Sequence, residues 1–320
     1  MFNEILNKIK EYDCIFIHGH IRPDGDCYGS QFGLMHLIKE NFPEKEVHVV
    51  GARADYVSFL GEPECETITD EMYKGALAIV VDCGDKNRVS DMRYQLADFV
   101  IKIDHHIATE QYGDLYYVLE DSPACCQIIT SFAIETNLRF NDKAAFALYT
   151  GLVTDTGRFR FRGVTSETFK VAAKLLEYNV DVEKLDNYLS VETMDVVKFK
   201  GYVLQNACFT PNGVVYIKIT RDIIDTYHIS DEDAAAQVGL IGSIEGYPVY
   251  CLFIEYPAEI RIRLRSRGPR VDKLANIYGG GGHEKAAGAK LTSWDDLPNF
   301  INDIDSLSKY YNETKKDDLY

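Results

Sequence analysis

The sequence lacks several features that would assign it to other protein classes. Its 320 residues include no apolar run of about 18 residues, so no segment predicts a membrane span. The eight cysteines form no C-x-x-C pair and mostly lie among apolar residues, which argues against a disulfide framework and a zinc knuckle. The charged, amphipathic opening MFNEILNKIKEYD does not have the pattern of a signal peptide. We therefore expect a cytoplasmic protein with reduced thiols and no membrane partner.

Positive charge is scarce as well. The sequence has 34 Lys and Arg residues against 50 Asp and Glu residues, a formal net charge of −16. Such a surface repels long nucleic acids, and we expect none as a partner. A small phosphorylated substrate is still compatible with this charge, because a bound divalent cation or a local arginine cluster reverses the field within one site.

The apolar pattern predicts an α/β protein with two domains. The segments CIFIH (14–18) and VHVVG (47–51) are predicted strands on either side of a helix at 30–41. Continuous apolar runs at 75–82 and 98–104 are typical of parallel strands that are buried on both faces. Further helices are predicted at about 125–136, 142–153 and 165–179.

The second half of the sequence has a different pattern of apolar and polar residues. Alternating strands are predicted at 214–220, 249–255 and 259–267, with a helix at about 231–244. The glycine-rich segment 279–288 is expected to open a last buried helix end. We predict a doubly covered parallel-sheet catalytic domain and a smaller α+β substrate-binding domain, with the active site in the cleft between them. The predicted boundaries are 1–185 for the first domain, 186–204 for a helical connector and 205–320 for the second domain.

Histidines and acids follow three of the predicted strands, and one further acid lies near the end of a predicted helix. Ligand sites of open α/β sheets lie beyond the carboxyl ends of the strands, so these side chains are expected to converge. Four carboxylates and two imidazoles suit Mn²⁺ or Mg²⁺ better than structural zinc, which prefers thiolates. The predicted ligands are His20, Asp24, Asp26, Asp82, His105 and Asp155.

The order of these residues resembles a known family. The loop HIRPDGD (20–26), then VVD (80–82), DHH (104–106) and TDTGRF (154–159) resemble the four signature motifs of the DHH phosphoesterase superfamily. The segment GGGGHEKAAG (279–288) is similar to the DHHA1 domain that accompanies one branch of this superfamily. The resemblance covers essentially the whole chain apart from the predicted connector.

The resemblance implies roles for individual residues. The six predicted ligands would bind two divalent cations, Mn²⁺ first with Mg²⁺ or Co²⁺ as alternatives, and Asp82 would bridge them. His106 would contact the substrate phosphate, with Arg158 as a second group that stabilises the developing charge. Such a metal pair activates water for attack on phosphorus, and no protein nucleophile is needed. Asp104 is expected to orient a neighbouring histidine.

The second domain is predicted to bind the substrate. EIRIRLRSR (259–267) places four arginines on one face of a strand, with aliphatic residues on the other face. A solvated edge that discourages aggregation is the alternative for Arg261 and Arg267. The resemblance favours Arg265 and Ser266 as substrate-binding residues. The glycines at 279–282 would let backbone amides approach a phosphate closely. The predicted substrate-binding residues are Arg263, Arg265, Ser266, Gly280, Gly281, Gly282 and His283.

The resemblance also indicates a substrate class. A short chain with this second domain resembles the group of oligoribonucleases that also act as 3′-phosphoadenosine 5′-phosphate phosphatases. We therefore expect very short RNA oligonucleotides or small nucleotides as substrates. Alternatives are a phosphodiesterase for linear or cyclic adenine dinucleotides, an inorganic pyrophosphatase, which the GGGGH run disfavours, and a non-catalytic nucleotide-binding module, which the complete ligand set disfavours. The oligomeric state is open, with a homodimer as the expectation.

One segment departs from the family pattern. Where relatives often have a turn rich in serine and threonine, this sequence has DSPACCQ (121–127), in which Ser122 is the only hydroxyl. If this segment contacts the substrate, the substrate preference is expected to differ from that of a typical group member.

Overall fold

The computed structural model describes residues 1–107, 111–161 and 163–316. It consists of two compact units, Met1–Val191 and Glu192–Tyr320. The boundary between the two units along the chain falls inside the stretch 186–204, for which the sequence predicts a connector. Within the three described ranges, no helix combines the length and the apolar character that a membrane span requires.

The first unit is built on a five-stranded parallel sheet with the order β2-β1-β3-β4-β5. The strands are β1 (Cys14–His18), β2 (Glu46–Val50), β3 (Leu77–Val81), β4 (Phe99–Asp104) and β5 (Leu115–Val118). The helices are α1 (Phe2–Glu11), α2 (Gly25–Asn41), α3 (Cys125–Glu135), α4 (Asp142–Asp155), α5 (Ser166–Leu175) and α6 (Val182–Ser190). The described part of this unit also contains four 3-10 helices: Asp55–Leu60, Asp70–Tyr73, Lys86–Arg88 and Met92–Leu96.

The predicted parallel sheet is confirmed, and its central strands are buried as the apolar runs indicate. All five residues of β3 are buried, and so are the last five of β4. The sequence pattern does not predict β5, a four-residue strand that is partly exposed at the edge of the sheet. An edge strand needs no continuous apolar run, so it leaves a weak sequence pattern.

Helix α2 packs against α4 with almost no space between the two backbones. Residues 25–34 of α2 are all buried, and a methyl group on Gly29 would lie 2.6 Å from the carbonyl oxygen of Ala147 in α4. Only glycine permits this approach, since real Cβ contacts are longer. The packing brings the start of α2, which carries Asp26, next to the end of α4, which carries Asp155.

The second unit contains a six-stranded mixed sheet with the order β10-β11-β9-β8-β7-β6. The strands are β6 (Cys208–Phe209), β7 (Val214–Ile219), β8 (Val249–Glu255), β9 (Ile260–Ser266), β10 (Gly281–His283) and β11 (Ala286–Leu291). The helices are α7 (Met194–Gln205), α8 (Arg221–Tyr227), α9 (Asp231–Ala236), α10 (Asp272–Ile277) and α11 (Leu297–Thr314). Two 3-10 helices, Gln237–Gly239 and Trp294–Asp296, complete it.

Two predictions for the second unit are wrong. The glycine-rich segment 279–288 does not open a helix end but forms the antiparallel pair β10 and β11. A methyl group on Gly280 would lie 1.9 Å from the carbonyl oxygen of Gly288, so glycine is required by the approach of two backbones. The predicted helix at 231–244 is shorter, because α9 ends at Ala236.

The two faces of this sheet are covered differently. Helices α10 and α11 pack Leu274 and Phe300 against one face, across strands β8, β9 and β11. On the opposite face, α7 to α9 pack residues such as Phe199 against β7 and β8. The arginines of β9 lie on the second face, beyond the strands that these helices cover.

Candidate active site

The six predicted metal ligands converge at the carboxyl edge of the parallel sheet. Their side chains form overlapping groups in which all ligand atoms lie within 4.8 Å of one another. Asp82 shares one group with His20 and Cys27, and a second with His105 and His106. Asp24 joins the set through its Oδ1 atom, which lies 3.8 Å from Nε2 of His20. The third group consists of Asp26, His105 and Asp155.

Asp82 is the centre of this cluster. It follows β3 with a φ of 54°, an uncommon backbone conformation for a residue other than glycine, and its side chain is 1% exposed. Among the residues that the structure describes, neither of its carboxylate oxygens accepts a hydrogen bond. Imidazole nitrogens of His20 and His105 nevertheless lie 3.5 and 3.3 Å from them. A buried carboxylate that accepts no hydrogen bond is costly, so this geometry favours a cation beside it.

Both histidines of the predicted ligand set are oriented by backbone carbonyls. Nδ1 of His20 donates a hydrogen bond to the carbonyl oxygen of Ile21 at 2.8 Å, and Nδ1 of His105 donates to that of Ser122 at 3.0 Å. Because a carbonyl oxygen only accepts, Nδ1 carries the proton and Nε2 faces the carboxylates. Histidine ligands of metals are typically held in this way. Burial opposes protonation, but Asp24 and Asp82 raise the pKa of His20 well above its usual range.

Like charges are concentrated around these imidazoles. Burial and the neighbouring charge of Asp82 raise the pKa of Asp26 to about 7. Burial and the charge of Asp26 raise the pKa of Asp155 to about 8. Asp26 is also fixed in place, since its carboxylate accepts hydrogen bonds from the amides of Cys125 and Cys126 at 2.6 and 3.0 Å. Carboxylates that disfavour their own ionised forms indicate a site built for additional positive charge.

The donor set fits divalent cations. Four carboxylates and two imidazoles are hard or borderline ligands, which suit Mn²⁺ and Mg²⁺. Since Asp82 and His105 each take part in two of the groups, the geometry is compatible with two adjacent ions. The buried thiol of Cys27 lies beside His20 and Asp82, and sequence reasoning missed it because a single cysteine in a helix carries no metal-site spacing.

His106 is held by a buried ion pair. Its Nδ1 atom donates a hydrogen bond to Oδ1 of Asp104 at 2.9 Å, and Nζ of Lys102 lies 3.2 Å from Oδ2 of the same carboxylate. Although burial opposes ionisation, His106 and Lys102 lower the pKa of Asp104. Lys102 is 1% exposed and also donates to the carbonyl oxygen of Gly84 at 3.1 Å. Asp104 therefore positions a histidine, as the resemblance implies, and no hydrogen bond from Nε2 of His106 to another described residue is present.

Lys102→Met tests this positioning. The variant leaves Asp104 buried beside His106 without its lysine, which is expected to cost about 3–5 kcal/mol of folding free energy. We expect kcat to fall by about 10–100-fold, the range for lost supporting contacts, while KM changes little. Thermal melts and steady-state kinetics measure both effects.

Lys45→Met is the matched control. Lys45 is also buried, and its Nζ atom donates to the carbonyl oxygens of Lys10 and Tyr12, far along the chain from the DHH motif. The Lys45→Met variant should have a lower melting temperature than the wild type and an unchanged kcat. An equal loss of kcat in both variants would show that Lys102 acts only through stability.

A cavity of about 390 Å³ opens beside the cluster. Its volume lies near the lower end of the range of about 300–1,000 Å³ for small-molecule sites, so it suits a small ligand. Arg158 lines it, but its guanidinium contacts Asp186 at 2.9 Å and Ser190 at 2.5 Å in α6. The lining consists of Asp24, Gly25, Tyr56, Val153, Thr154, Asp155, Gly157, Arg158, Arg160 and Leu189.

The second unit carries a basic shelf, which we define as the exposed face of β9, β11 and β10. Arg265 pairs with Ala286, which pairs with His283, while Arg263 pairs with Gly288, which pairs with Gly281. Directly paired residues point to the same face of a sheet. Small residues, Ala286 and Gly288, therefore form a flat floor on the shelf, and Ala286 lies between Arg265 and His283. Burial and the charge of Arg263 lower the pKa of Arg265. Gly280 and Gly282 lie in the same hairpin.

Ser266 lies on the other face of β9. It is 6% exposed, and its Oγ atom accepts a hydrogen bond from the amide of Gly268 at 3.0 Å. The alternation of strand residues places it opposite its neighbour Arg265. The position of Ser266 gives it a contact within the fold, and its predicted contact with substrate stays a prediction.

Comparison with protein-family models decides the assignment. A model described as "DHH family, N-terminal domain" matches residues 14–152, and one described as "DHHA1 domain" matches residues 213–309. The chain belongs to the DHH family. The cluster of predicted metal ligands accordingly lies in the unit that contains the DHH domain, and the basic shelf lies in the DHHA1 domain.

Similar proteins match this DHH chain over nearly its whole length. The "Bifunctional oligoribonuclease and PAP phosphatase NrnA" of Bacillus subtilis is 36% identical over 97% of this chain and 99% of its own. A probable protein of the same name from Streptococcus mutans is 37% identical over 96% of this chain and 99% of its own. The crystal structure of an exopolyphosphatase-related protein from Bacteroides fragilis is similar with a TM-score of 0.89 and 21% identity, covering 98% of this chain and 97% of that one. That likeness shows the fold.

The DHH motifs led sequence reasoning to the cluster but not to its surroundings. Lys102 has a detectable signal, a charged residue inside the apolar run FVIKID. Tyr56 and Arg160 line the cavity but belong to no recognised motif, so only the fold reveals them. The DSPACCQ segment contacts two predicted ligands through its backbone: the Ser122 carbonyl accepts a hydrogen bond from His105, and the amides of Cys125 and Cys126 donate to Asp26.

Proposed function

We propose that this DHH protein is a phosphoesterase that hydrolyses very short RNA to mononucleotides and removes the 3′-phosphate of 3′-phosphoadenosine 5′-phosphate (PAP). The buried carboxylate of Asp82, which accepts no hydrogen bond from the described residues and is faced by two imidazoles, carries the proposal of metal-dependent hydrolysis. The substrate class is supported by the similarity to relatives named for these two activities. The alternatives, adenine dinucleotide cleavage, pyrophosphate hydrolysis and non-catalytic nucleotide binding, have no comparable support.

The proposed cofactors are two divalent cations, with Mn²⁺ preferred and Mg²⁺ or Co²⁺ as alternatives. When bound, such cations acidify a water molecule at neutral pH and offset the charge of the phosphoryl group. Asp82 would be shared by the two sets of ligands. His20 and Asp24 would complete one set, and Asp26, His105 and Asp155 would complete the other.

The remaining side chains orient the substrate. His106, fixed through Nδ1 by Asp104, is available to donate a hydrogen bond from Nε2 to a phosphoryl oxygen. Arg158 and Arg160 give the cavity wall positive charge, and Asp186 holds Arg158 until an anionic ligand competes for the guanidinium. The limited volume of the cavity favours a terminal nucleotide over a long chain.

We further propose that the basic shelf of the DHHA1 domain binds the sugar-phosphate part of the substrate. Arg263 is exposed, whereas Arg265 is half-buried and its Nη1 atom donates to the carbonyl oxygen of Leu264 at 2.8 Å. The two arginines therefore offer one accessible and one fixed cation above a floor of small residues. His283 adds a further hydrogen-bonding group at the rim.

Arg263→Ala is expected to raise KM for an RNA dinucleotide about tenfold with little change in kcat. A hydrogen bond to a charged group is worth about 1.5–3 kcal/mol, and solvent exposure places Arg263 at the low end. Lys309→Ala, an exposed cation on α11 against the opposite face of the sheet, is the control and should leave KM unchanged. An unchanged KM in the Arg263 variant would remove the shelf from substrate binding.

A hydrolysis panel tests the proposed function. Metal-free protein is supplied in turn with Mn²⁺, Mg²⁺ and Co²⁺ and given an RNA dinucleotide, PAP, cyclic diadenylate, pyrophosphate and a 24-nucleotide RNA. We expect mononucleotides from the dinucleotide, AMP and phosphate from PAP, highest rates with Mn²⁺, and no turnover without metal. Fast pyrophosphate cleavage with an inert dinucleotide would overturn the substrate assignment, and turnover in chelator would overturn the metal requirement. The expected homodimer remains a prediction that sedimentation tests.

A further inference from the structure

A second group of side chains that could bind a metal lies near the amino ends of strands β1 and β2. The DHH motifs follow the carboxyl ends of the strands. Cys14 is the first residue of β1, and its partner across the ladder is Glu46, the first residue of β2. His48 follows two positions later in β2, so its side chain lies on the same face as that of Glu46. The catalytic cluster begins where these parallel strands end. The two groups are therefore separate.

The ligand atoms of this second group are already close together. The thiol of Cys14, a carboxylate oxygen of Glu46 and an imidazole nitrogen of His48 all lie within 4.8 Å of one another. The His48 ring is 12% exposed and stacks on Phe16 with a centroid distance of 5.1 Å. It therefore cannot turn away from its neighbours without losing this packing.

A neutral His48 ring can donate to only one of the two carboxylates that it contacts. Nδ1 lies 2.9 Å from Oε2 of Glu64, and Nε2 lies 3.0 Å from Oε1 of Glu46. Carboxylates only accept hydrogen bonds, and a neutral imidazole has a single N–H group. If Nδ1 donates to Glu64, a lone pair of Nε2 faces the carboxylate of Glu46. A cation at this point removes the conflict.

We propose that Cys14, Glu46 and His48 form a zinc-binding site, with Glu64 orienting the imidazole through Nδ1. Thiolate, imidazole and carboxylate are ligands of zinc, whereas the oxygen-rich catalytic cluster suits manganese. A carboxylate on the far nitrogen of a ligating histidine is the usual support of such a site. Binding releases the thiol proton of Cys14 to solvent, and a water molecule completes the coordination. The ion would tie the edge strand β2 to β1.

Cobalt spectroscopy tests the site without relying on catalysis. Co²⁺ substitutes for zinc, and a Co²⁺–thiolate bond gives a charge-transfer absorption in the near ultraviolet. We expect metal-free protein titrated with Co²⁺ to develop this band, and Cys14→Ser to lack it. Cys208→Ser, which removes an exposed cysteine elsewhere, should retain the band. Persistence of the full band in Cys14→Ser would assign it to Cys27 in the catalytic cluster and overturn the proposal, as would its absence from the wild type.

Zinc titration of the Glu64→Gln variant provides the second measurement. Because Glu64 only orients His48, we expect the cobalt band to remain and the zinc affinity of this site to fall by about 10–100-fold. The variant alters an exposed carboxylate, so folding is not at risk. Equal zinc affinity in the variant and the wild type would show that Glu64 does not orient His48, and absence of zinc binding at this site in both proteins would overturn the proposal. Manganese-dependent turnover by Cys14→Ser should match that of the wild type.

Discussion

Replacing Asp82 by asparagine is expected to lower kcat/KM for an RNA dinucleotide by about 10³-fold or more, at or beyond the upper end of the range for losing one preorganised electrostatic group. Asparagine keeps the size of the side chain but removes its charge. Asp82 takes part in two of the ligand groups, so one substitution weakens both proposed cation sites at once. Steady-state hydrolysis at saturating Mn²⁺ measures the loss.

The same variant should behave differently from a destabilised protein. Asp82 is a buried carboxylate to which no described residue donates a hydrogen bond, and its φ of 54° is one that asparagine adopts readily. We therefore expect metal-free Asp82→Asn to melt at or above the wild-type temperature. The wild type should gain about 2.7 kcal/mol of stability at a Mn²⁺ concentration 100 times its Kd, and the variant should not.

Asp70→Asn is the control for this substitution. Asp70 is exposed in a 3-10 helix of the same unit, so its loss should change neither the rate nor the response of the melting temperature to Mn²⁺. Full activity of Asp82→Asn would refute the proposed metal mechanism. A lower melting temperature for the metal-free variant would instead assign Asp82 a structural role.

Gly29→Ala is expected to destabilise the first unit by about 3 kcal/mol, the upper end of the usual cost of overpacking. The added methyl group would lie 2.6 Å from the carbonyl oxygen of Ala147 and 2.9 Å from the amide nitrogen of Gly151, both in the backbone of α4. Backbone atoms cannot swing aside as a flexible side chain can. For a unit of this size, such a loss lowers the melting temperature by roughly 10 °C, at 2–4 °C per kcal/mol.

The effect on the active site follows from the same contact. Helix α2 carries Asp26 and α4 ends with Asp155, so forcing the helices apart separates two proposed ligands. We expect the Mn²⁺ concentration for half-maximal activity to rise about tenfold, within the range seen when support of a metal ligand is lost. Activity measured against Mn²⁺ concentration, below the melting range, separates this effect from unfolding.

Gly201→Ala is the matched control for Gly29→Ala. Gly201 also lies inside a helix, α7, but a methyl group there would meet nothing within 4 Å. Alanine should therefore stabilise its unit by about 0.5–1 kcal/mol through helix propensity. If both variants lost stability equally, contact with α4 would not be the reason that position 29 is glycine.

The cluster of proposed metal ligands could be located from the sequence because its residue types follow local patterns. Apolar runs that end in acids or histidines locate the carboxyl edge of a parallel sheet, and parallel strands bring such ends together. Asp82 and His105 follow two such strands and meet as expected. Short or irregular elements were not predicted from the sequence, as β5 and the β10–β11 pair show. A few residues at an edge carry too little pattern, and the glycines between 279 and 282 serve a backbone approach that no local rule predicts.

The sequence by itself determined the fold class and family membership and named the six proposed metal ligands, because these depend on residue types at characteristic spacings. The tertiary structure alone decided which partner each group has. It placed Lys102 behind Asp104, turned Ser266 away from the arginines of β9 and brought Cys14 beside His48. Partners are set by packing between segments that are distant in the chain, and the spacing of residues within one segment contains no record of that packing.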